Sequence, residues 1–204
     1  IIEMLGQILP QEDKIVAKTL ENALKKIGIE IVTGVKLDKT ELRKDGISCT
    51  LNSGAQKVFE RLLVSVGRKA DLAPLGGRFA NEKYVRVNER FQTDVPRVYA
   101  IGDVNGRSMY AHAATAQGIA VVEYIAGNNP VIHQDLIPRC VYTQPEVASV
   151  GLTEDEAKQK GIEVKIARFP YAALGKAHAL NAADGFFKIV ADAWTYQILG
   201  VQII

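Results

Sequence analysis

An apolar run cut off by Gly102-Asp103, then a long stretch without proline, leaves residues 93–128 few ways to fold. Val98, Tyr99, Ala100 and Ile101 follow Pro96 and stop at the Gly-Asp pair. That pattern predicts a short buried strand whose end faces a ligand, the edge at which open α/β sheets bind theirs. A polar turn of Asn105, Gly106, Arg107 and Ser108 leads into residues 109–126, where Gly118 is the only glycine. Those residues read as one helix, and Gly127-Asn128 caps it.

The chemistry of such a layout is specific. Gly102 carries no Cβ, so a ligand can approach its backbone, and Asp103 offers an acceptor-only carboxylate suited to sugar-like hydroxyls. A helix starting near Met109 points unpaired N–H groups and a partial positive charge at the same edge. That charge is worth roughly 0.3–1 kcal/mol toward an anion, and up to about 2 in a partly buried site. On these residues alone, an ordinary turn before a packed helix is the reading to be preferred.

The runs RVYAIGDV (97–104) and MYAHAATAQGIAVVEYIAGN (109–128) resemble the second flavin-binding motif of the pyridine nucleotide-disulfide oxidoreductases. Within that family, VYTQPEVASVGLTEDEAKQKG (141–161) and FPYAALGKAHALNAADGFFKIVAD (169–192) are similar to the dihydrolipoamide dehydrogenase branch. The resemblance covers essentially the whole chain. It implies an α/β plus α+β fold in three parts. Residues 1–69 would be the C-terminal part of a Rossmann-like NAD-binding domain, and 70–136 the C-terminal part of an FAD-binding domain. Residues 137–204 would begin an antiparallel-sheet interface domain that pairs two subunits.

The site residues follow by the same resemblance. Asp103, with Gly102, would hold the flavin ribitol, and Met109, Tyr110, Ala111 and His112 would lie against the isoalloxazine of FAD. Glu3 would accept the adenosine ribose hydroxyls of NAD, Val35 would touch the adenine, and Gly67 would let the cofactor approach the returning strand. Taken alone, Glu3 would more often be solvated surface and Gly67 a plain turn, while Val35 is open between plain core and a ligand contact. Met4, Leu5 and Gly6 supply no Arg or Lys for a 2′-phosphate, which favours NAD over NADP. The implied activity passes electrons from a dihydrolipoyl dithiol through an enzyme disulfide to FAD and on to NAD. The implied partners are a second copy of the chain and a lipoyl-bearing 2-oxoacid dehydrogenase complex. Two alternatives stand: a glutathione- or mercuric-reductase-like flavoenzyme, and a non-catalytic fragment held by packing and dimerisation.

Composition narrows the rest. The 204 residues, 48% of them hydrophobic, can bury a sizeable core. Twenty-five basic and 23 acidic side chains leave a formal net charge of +2 without long single-sign runs, so neither nucleic acid nor an anionic membrane is implied. No apolar stretch reaches membrane-span length and no secretory leader is visible, which gives a cytoplasmic expectation, or mitochondrial matrix in a eukaryote. Cys49 and Cys140 are too far apart for a redox pair and are expected as separate, buried or half-buried thiols. His112, His133 and His178 are too scattered for a zinc site, and no catalytic residue is assigned.

Both ends read as strand interiors, Ile1-Ile2 and Val201-Gln202-Ile203-Ile204, and suggest a piece of a longer enzyme. By resemblance, both GxGxxG turns and the disulfide would precede Ile1, and the acid-base His would follow Ile204. The clearest helix spans 13–27, with Val16, Leu20, Ala23, Leu24 and Ile27 on one face. Strands are expected at 29–35, 47–51, 58–66 and 84–87, with a charged turn after residue 35 and a crossover over 70–77. Beyond 137, strands are expected at 140–142, 147–150, 164–169, 186–191 and 198–204, with a helix at 153–160 opened by a Thr153/Glu156 capping box. Tyr142, Pro145, Trp194 and Tyr196 are expected in a core or an interface, the core being favoured.

Overall fold

The structure, a computed structural model, describes residues 1–79 and 82–204; Ala80 and Asn81, inside the segment expected to belong to the flavin domain, lie outside the described residues. In chain order the elements are β1 (Ile2–Glu3), α1 (Lys14–Lys26), β2 (Val32–Thr33), β3 (Leu37–Arg43), β4 (Gly46–Leu51), β5 (Gln56–Phe59), α2 (Ala111–Ile125), β6 (Arg139–Val141), β7 (Val147–Gly151), α3 (Glu154–Gln159), β8 (Val164–Pro170), α4 (Gly175–Ala179), β9 (Phe186–Asp192) and β10 (Ile198–Ile203). Two compact units result: Ile1–Leu63 together with Pro138–Ile204, and Val64–Ile137.

In the first unit, Asp13 caps α1 by accepting the Ile15 N–H at 3.0 Å, and Lys25 and Lys26 complement the dipole at the other end. Gly28 then turns the chain, with its N–H on the Lys25 carbonyl and that of Ile29 on the Leu24 carbonyl. Val16, Ala17 and Leu20 are buried. Ile27, expected on the same face, is 70% exposed because it sits past the last turn as the C-cap.

β1 and β2 pair in parallel over two residues only, Ile2 with Val32 and Glu3 with Thr33. The strand expected over 29–35 is therefore short, and Ile29 and Ile31 pack into the core instead. β3, β4 and β5 form an antiparallel meander. β3 stands where a charged turn was expected. Its side chains are exposed apart from Leu37, so no apolar face marked it, and the reversal at Lys44-Asp45 sets its pairing with β4. The strand expected over 58–66 ends at Phe59, and no regular structure follows through Leu72.

The C-terminal part is one antiparallel sheet in the order β6-β7-β10-β9-β8, close to the strands expected from alternation. α3 opens with the expected capping box: Thr153 Oγ1 accepts the Glu156 N–H, and the Glu156 carboxylate accepts the Thr153 N–H. The sheet and α1 share a core of Ile8, Val16, Leu20, Ile31, Val147, Phe186 and Ile204.

A polar row crosses that covered face of the sheet. Arg139 is opposite Ser149, Ser149 opposite Gln202, Gln202 opposite Lys188 and Lys188 opposite Arg168. Two consecutive acids at the start of α1 meet it. Glu12 accepts from Arg139 Nε at 3.0 Å and from Ser149 Oγ at 2.5 Å, and Asp13 accepts from Lys188 Nζ at 2.8 Å. Lys188, 1% exposed, also reaches Glu154 in the first turn of α3 at 2.8 Å.

Tyr142, Trp194 and Tyr196 are 85%, 77% and 66% exposed, so the core expectation fails for them. Trp194 and Tyr196 lie in the turn between β9 and β10, which Asp192 fastens by accepting the N–H groups of Trp194 and Thr195. The Lys165 ammonium sits over the Tyr196 ring. Cys49 is buried and Cys140 half-buried, both as free thiols.

The second unit is built around α2, whose Ala113, Gln117, Ala120 and Val121 are buried. Ala120 and Val121 pack with Phe91, and a neighbouring cluster joins Leu72, Val85 and Ala100. The strand expected at 98–101 forms no ladder among the described residues. It is an extended segment tied by a bridge between Gln92 and Tyr99 and by the Ala100 N–H on the Phe91 carbonyl at 3.0 Å. Residues 84–87 likewise stay out of any sheet and are held by the Val85 N–H on the Val104 carbonyl at 2.9 Å.

Candidate functional site

After Ile101 the backbone changes direction through Gly102, whose φ of +72° is disfavoured for any residue with a Cβ. A Cβ there would also stand 3.2 Å from the Ala114 Cβ on α2. The close approach of turn and helix thus requires glycine. Gly102–Asn105 forms a short 3₁₀ turn, with Gly102 and Asn105 buried and Asp103 exposed. Backbone geometry presents the carboxylate.

Gln117, a residue that the pattern of the sequence did not single out, fastens this turn to α2. Its Oε1 accepts the Gly102 N–H at 2.8 Å and Asn105 Nδ2 at 2.9 Å. Asn105 Nδ2 also donates to the Ala100 carbonyl at 3.0 Å, while its Oδ1 accepts the Arg107 N–H at 2.9 Å. The available signal was a lone amide on the stripe otherwise made by Ala113, Ala120 and Val121.

α2 begins at Ala111, two residues later than expected, so Met109 and Tyr110 precede the first turn. Tyr110 is the N-cap without a side-chain cap bond, and no acid occupies the first turn. The helix therefore brings its partial positive charge to this edge without a carboxylate of its own to offset it. Tyr110 and His112 stack with ring centroids 5.5 Å apart, and Met109, Ala111 and His112 are exposed. Asp103, Gly102, Met109, Tyr110, Ala111 and His112 all belong to the second unit.

Of the three residues expected at a nicotinamide site, Glu3 and Val35 are brought together. The Val35 N–H donates to the Glu3 carbonyl at 3.2 Å, and the neighbouring Gly34 N–H to the Leu5 carbonyl at 2.8 Å. Glu3 Oε1 accepts the Leu5 N–H at 2.8 Å, which holds the carboxylate over its own turn. Gly67 lies in the second unit, at φ +104° with open space where a Cβ would stand.

The profile of the pyridine nucleotide-disulphide oxidoreductases matches residues 1–118, and that family's dimerisation domain matches residues 137–204. A dihydrolipoyl dehydrogenase of Bacillus subtilis is 44% identical over all of this chain, which spans 45% of that relative. A mitochondrial dihydrolipoyl dehydrogenase 1 of Arabidopsis thaliana is 38% identical, with 42% of its length spanned. Among solved structures, the HOCl-induced flavoprotein disulfide reductase RclA from Escherichia coli superposes with a TM-score of 0.88 at 25% identity, over 100% of this chain and 48% of that one. LpdA from Mycobacterium tuberculosis gives 0.88 at 22% identity, over 99% of this chain and 45% of that one. The chain thus spans a little under half the length of the relatives it matches. A fold mixing helices with an antiparallel C-terminal sheet, and profile matches over most of its residues, make this chain a member of the pyridine nucleotide-disulphide oxidoreductase family.

Proposed function

We propose that this chain is part of an NAD-linked flavoprotein disulfide oxidoreductase of the dihydrolipoyl dehydrogenase kind. The observation that carries the reading is the Gly102-Asp103 turn. Its carboxylate is exposed beside the start of a helix whose N-cap makes no side-chain cap bond and whose first turn holds no acid, and the turn is pinned to that helix by a buried amide. When bound, a flavin supplies two-electron chemistry between a dithiol-disulfide couple and a nicotinamide. The residues present fit such a group: Asp103 would accept hydrogen bonds from ribitol hydroxyls, and Met109, Tyr110, Ala111 and His112 would border the ring. The α2 N-terminus favours negative charge at that edge. Glu3 would accept ribose hydroxyls, with Val35 beside it and Gly67 as the third nicotinamide-side residue.

On this reading residues 1–69 complete an NAD-binding domain, 70–136 a flavin domain, and 137–204 begin the interface domain. The dimerisation-domain match supports pairing with a second copy of the chain. A lipoyl-bearing 2-oxoacid dehydrogenase complex is the proposed larger partner, and the cytoplasm or the mitochondrial matrix the proposed location. Among the described residues, no helix is long and apolar enough to cross a membrane.

The test uses the full-length gene product that carries this chain. Asp103→Ala should weaken flavin binding about tenfold or more, the scale of a lost charge-assisted pair of hydrogen bonds. Glu3→Ala should raise KM for NAD far more than it lowers kcat. Unchanged flavin affinity in Asp103→Ala would overturn the flavin assignment. The partial coverage of the relatives also favours a second statement: the 204-residue polypeptide alone binds flavin weakly, and a stoichiometric visible flavin spectrum of that polypeptide would refute it.

A further inference from the structure

We infer that Gln117 is a positioning residue for Asp103, an inference that rests on the flavin reading of that carboxylate. Gln117 is 1% exposed, and the other buried residues of its helix are Ala113, Ala120 and Val121. A buried amide needs hydrogen-bond partners, since an unsatisfied one costs about 1–3 kcal/mol. Gln117 uses its oxygen twice, on Gly102, just before Asp103, and on Asn105, two residues after it. The two donors thus bracket the carboxylate-bearing residue and Val104 within one short turn.

The consequence is geometric. Gly102 is in the left-handed region, one of several backbone wells open to glycine, so the hydrogen bond to Gln117 is what selects it. One helix side chain anchors that residue, and Asn105 links the same oxygen to the Ala100 carbonyl and the Arg107 N–H. The direction in which Asp103 projects is thereby tied to the helix whose N-terminus lies at the same edge. Gln117 does not contact the ligand in this scheme; it sets where the acceptor stands. Its Nε2 has no partner among the described residues, so the acceptor oxygen is the working atom.

The experiment is a double-mutant cycle on the full-length gene product, reading the dissociation constant of FAD by flavin fluorescence. Gln117→Met keeps the size and removes the acceptor. It should weaken FAD binding about tenfold when Asp103 is present, and by less than about threefold in an Asp103→Ala background, because a residue acting through another is non-additive with it. Gln117→Glu is near-isosteric: a carboxyl buried without a cation takes up a proton, still offers its carbonyl oxygen to both donors, and should bind FAD within about threefold of wild type. If Gln117→Met yields no folded protein, the Gln117→Glu rescue decides: a loss as large as that of Asp103→Ala overturns the inference. So does a Gln117→Met loss that multiplies fully with that of Asp103→Ala, which marks a role in general packing. So too does normal binding in Gln117→Met. If Asp103→Ala itself binds normally, the flavin reading of Asp103 fails first and is recognised by that single variant.

Discussion

Gly102 combines two constraints that separate experimentally. Its φ of +72° costs an L-residue about 1–2 kcal/mol, and an added methyl would meet the Ala114 Cβ at 3.2 Å. Gly102→Ala should therefore lose about 1–3 kcal/mol in denaturant unfolding. Ala114→Gly, added as a second change, should not restore it, since it relieves only the contact and itself costs about 1 kcal/mol within a helix. Recovery of wild-type stability in the double variant would mean that the contact, not the backbone, sets the requirement. Gly106 is bound even more tightly by its neighbour: at φ +69°, a Cβ would stand 2.5 Å from the Tyr84 ring. Both glycines were readable as turn residues. The reason each must be glycine was not, because Ala114 and Tyr84 are distant in sequence.

Among the elements, the polar row across the C-terminal sheet explains how α1 is held to it. Lys188 is charged and buried. Burial opposes its charge, but hydrogen bonds to Asp13 and Glu154 outweigh that and leave its pKa raised. The Lys158 and Lys188 ammonium groups hold the Glu154 carboxyl down at about 2. A carboxyl depressed in the folded state stabilises above its unfolded value of 4.5, so this contribution should fade as pH falls from about 4.5 toward 2. In Lys188→Met the acid midpoint should be less dependent on Glu154, and its stability at neutral pH should fall by about 3–5 kcal/mol because Asp13 stays buried without its cation. Equal chemical denaturation midpoints for wild type and Lys188→Met at pH 7 would sink this account. Thr153→Ala, by contrast, removes a cap visible in the sequence and should cost about 1 kcal/mol. Capping boxes and period-two strands are local, and the helix at 153–160 and the five C-terminal strands were legible for that reason. The apolar runs at 29–35, 58–66 and 98–101 were read as longer strands than form, because a strand also needs a partner in register, which no local pattern supplies. β3 escaped for the opposite reason: its charged, exposed side chains carry no apolar alternation. Lys188 reads as a surface residue by type, and only the sheet register shows that it shares a covered face with Phe186 and Val190.

The first unit of the molecule joins residues far apart in sequence around one core, and its stability is cooperative in consequence. Val16 and Leu20 of α1 are 0% and 1% exposed, covered with Val147, Phe186 and Ile204 from the C-terminal sheet. Each such side chain contributes about 1.5–3 kcal/mol when fully buried, and an isolated helix of this length is marginal in water. The acids at the start of α1 depend on the same sheet, since Arg139, Ser149 and Lys188 supply the donors for Glu12 and Asp13. Without that sheet, α1 would face water with an apolar stripe and two carboxylates stripped of their partners. In a polypeptide of residues 1–136, the amides of α1 should lose nearly all protection from hydrogen exchange. Those of α2 serve as an internal reference, because Phe91, on which Ala120 and Val121 pack, is retained. Addition of a separate 137–204 polypeptide should restore protection to α1, with Lys188→Met in the added piece restoring less. Native-like protection of α1 in residues 1–136 alone would show that the helix stands without the sheet, and that the shared core and the buried ion pairs are not what hold this unit together.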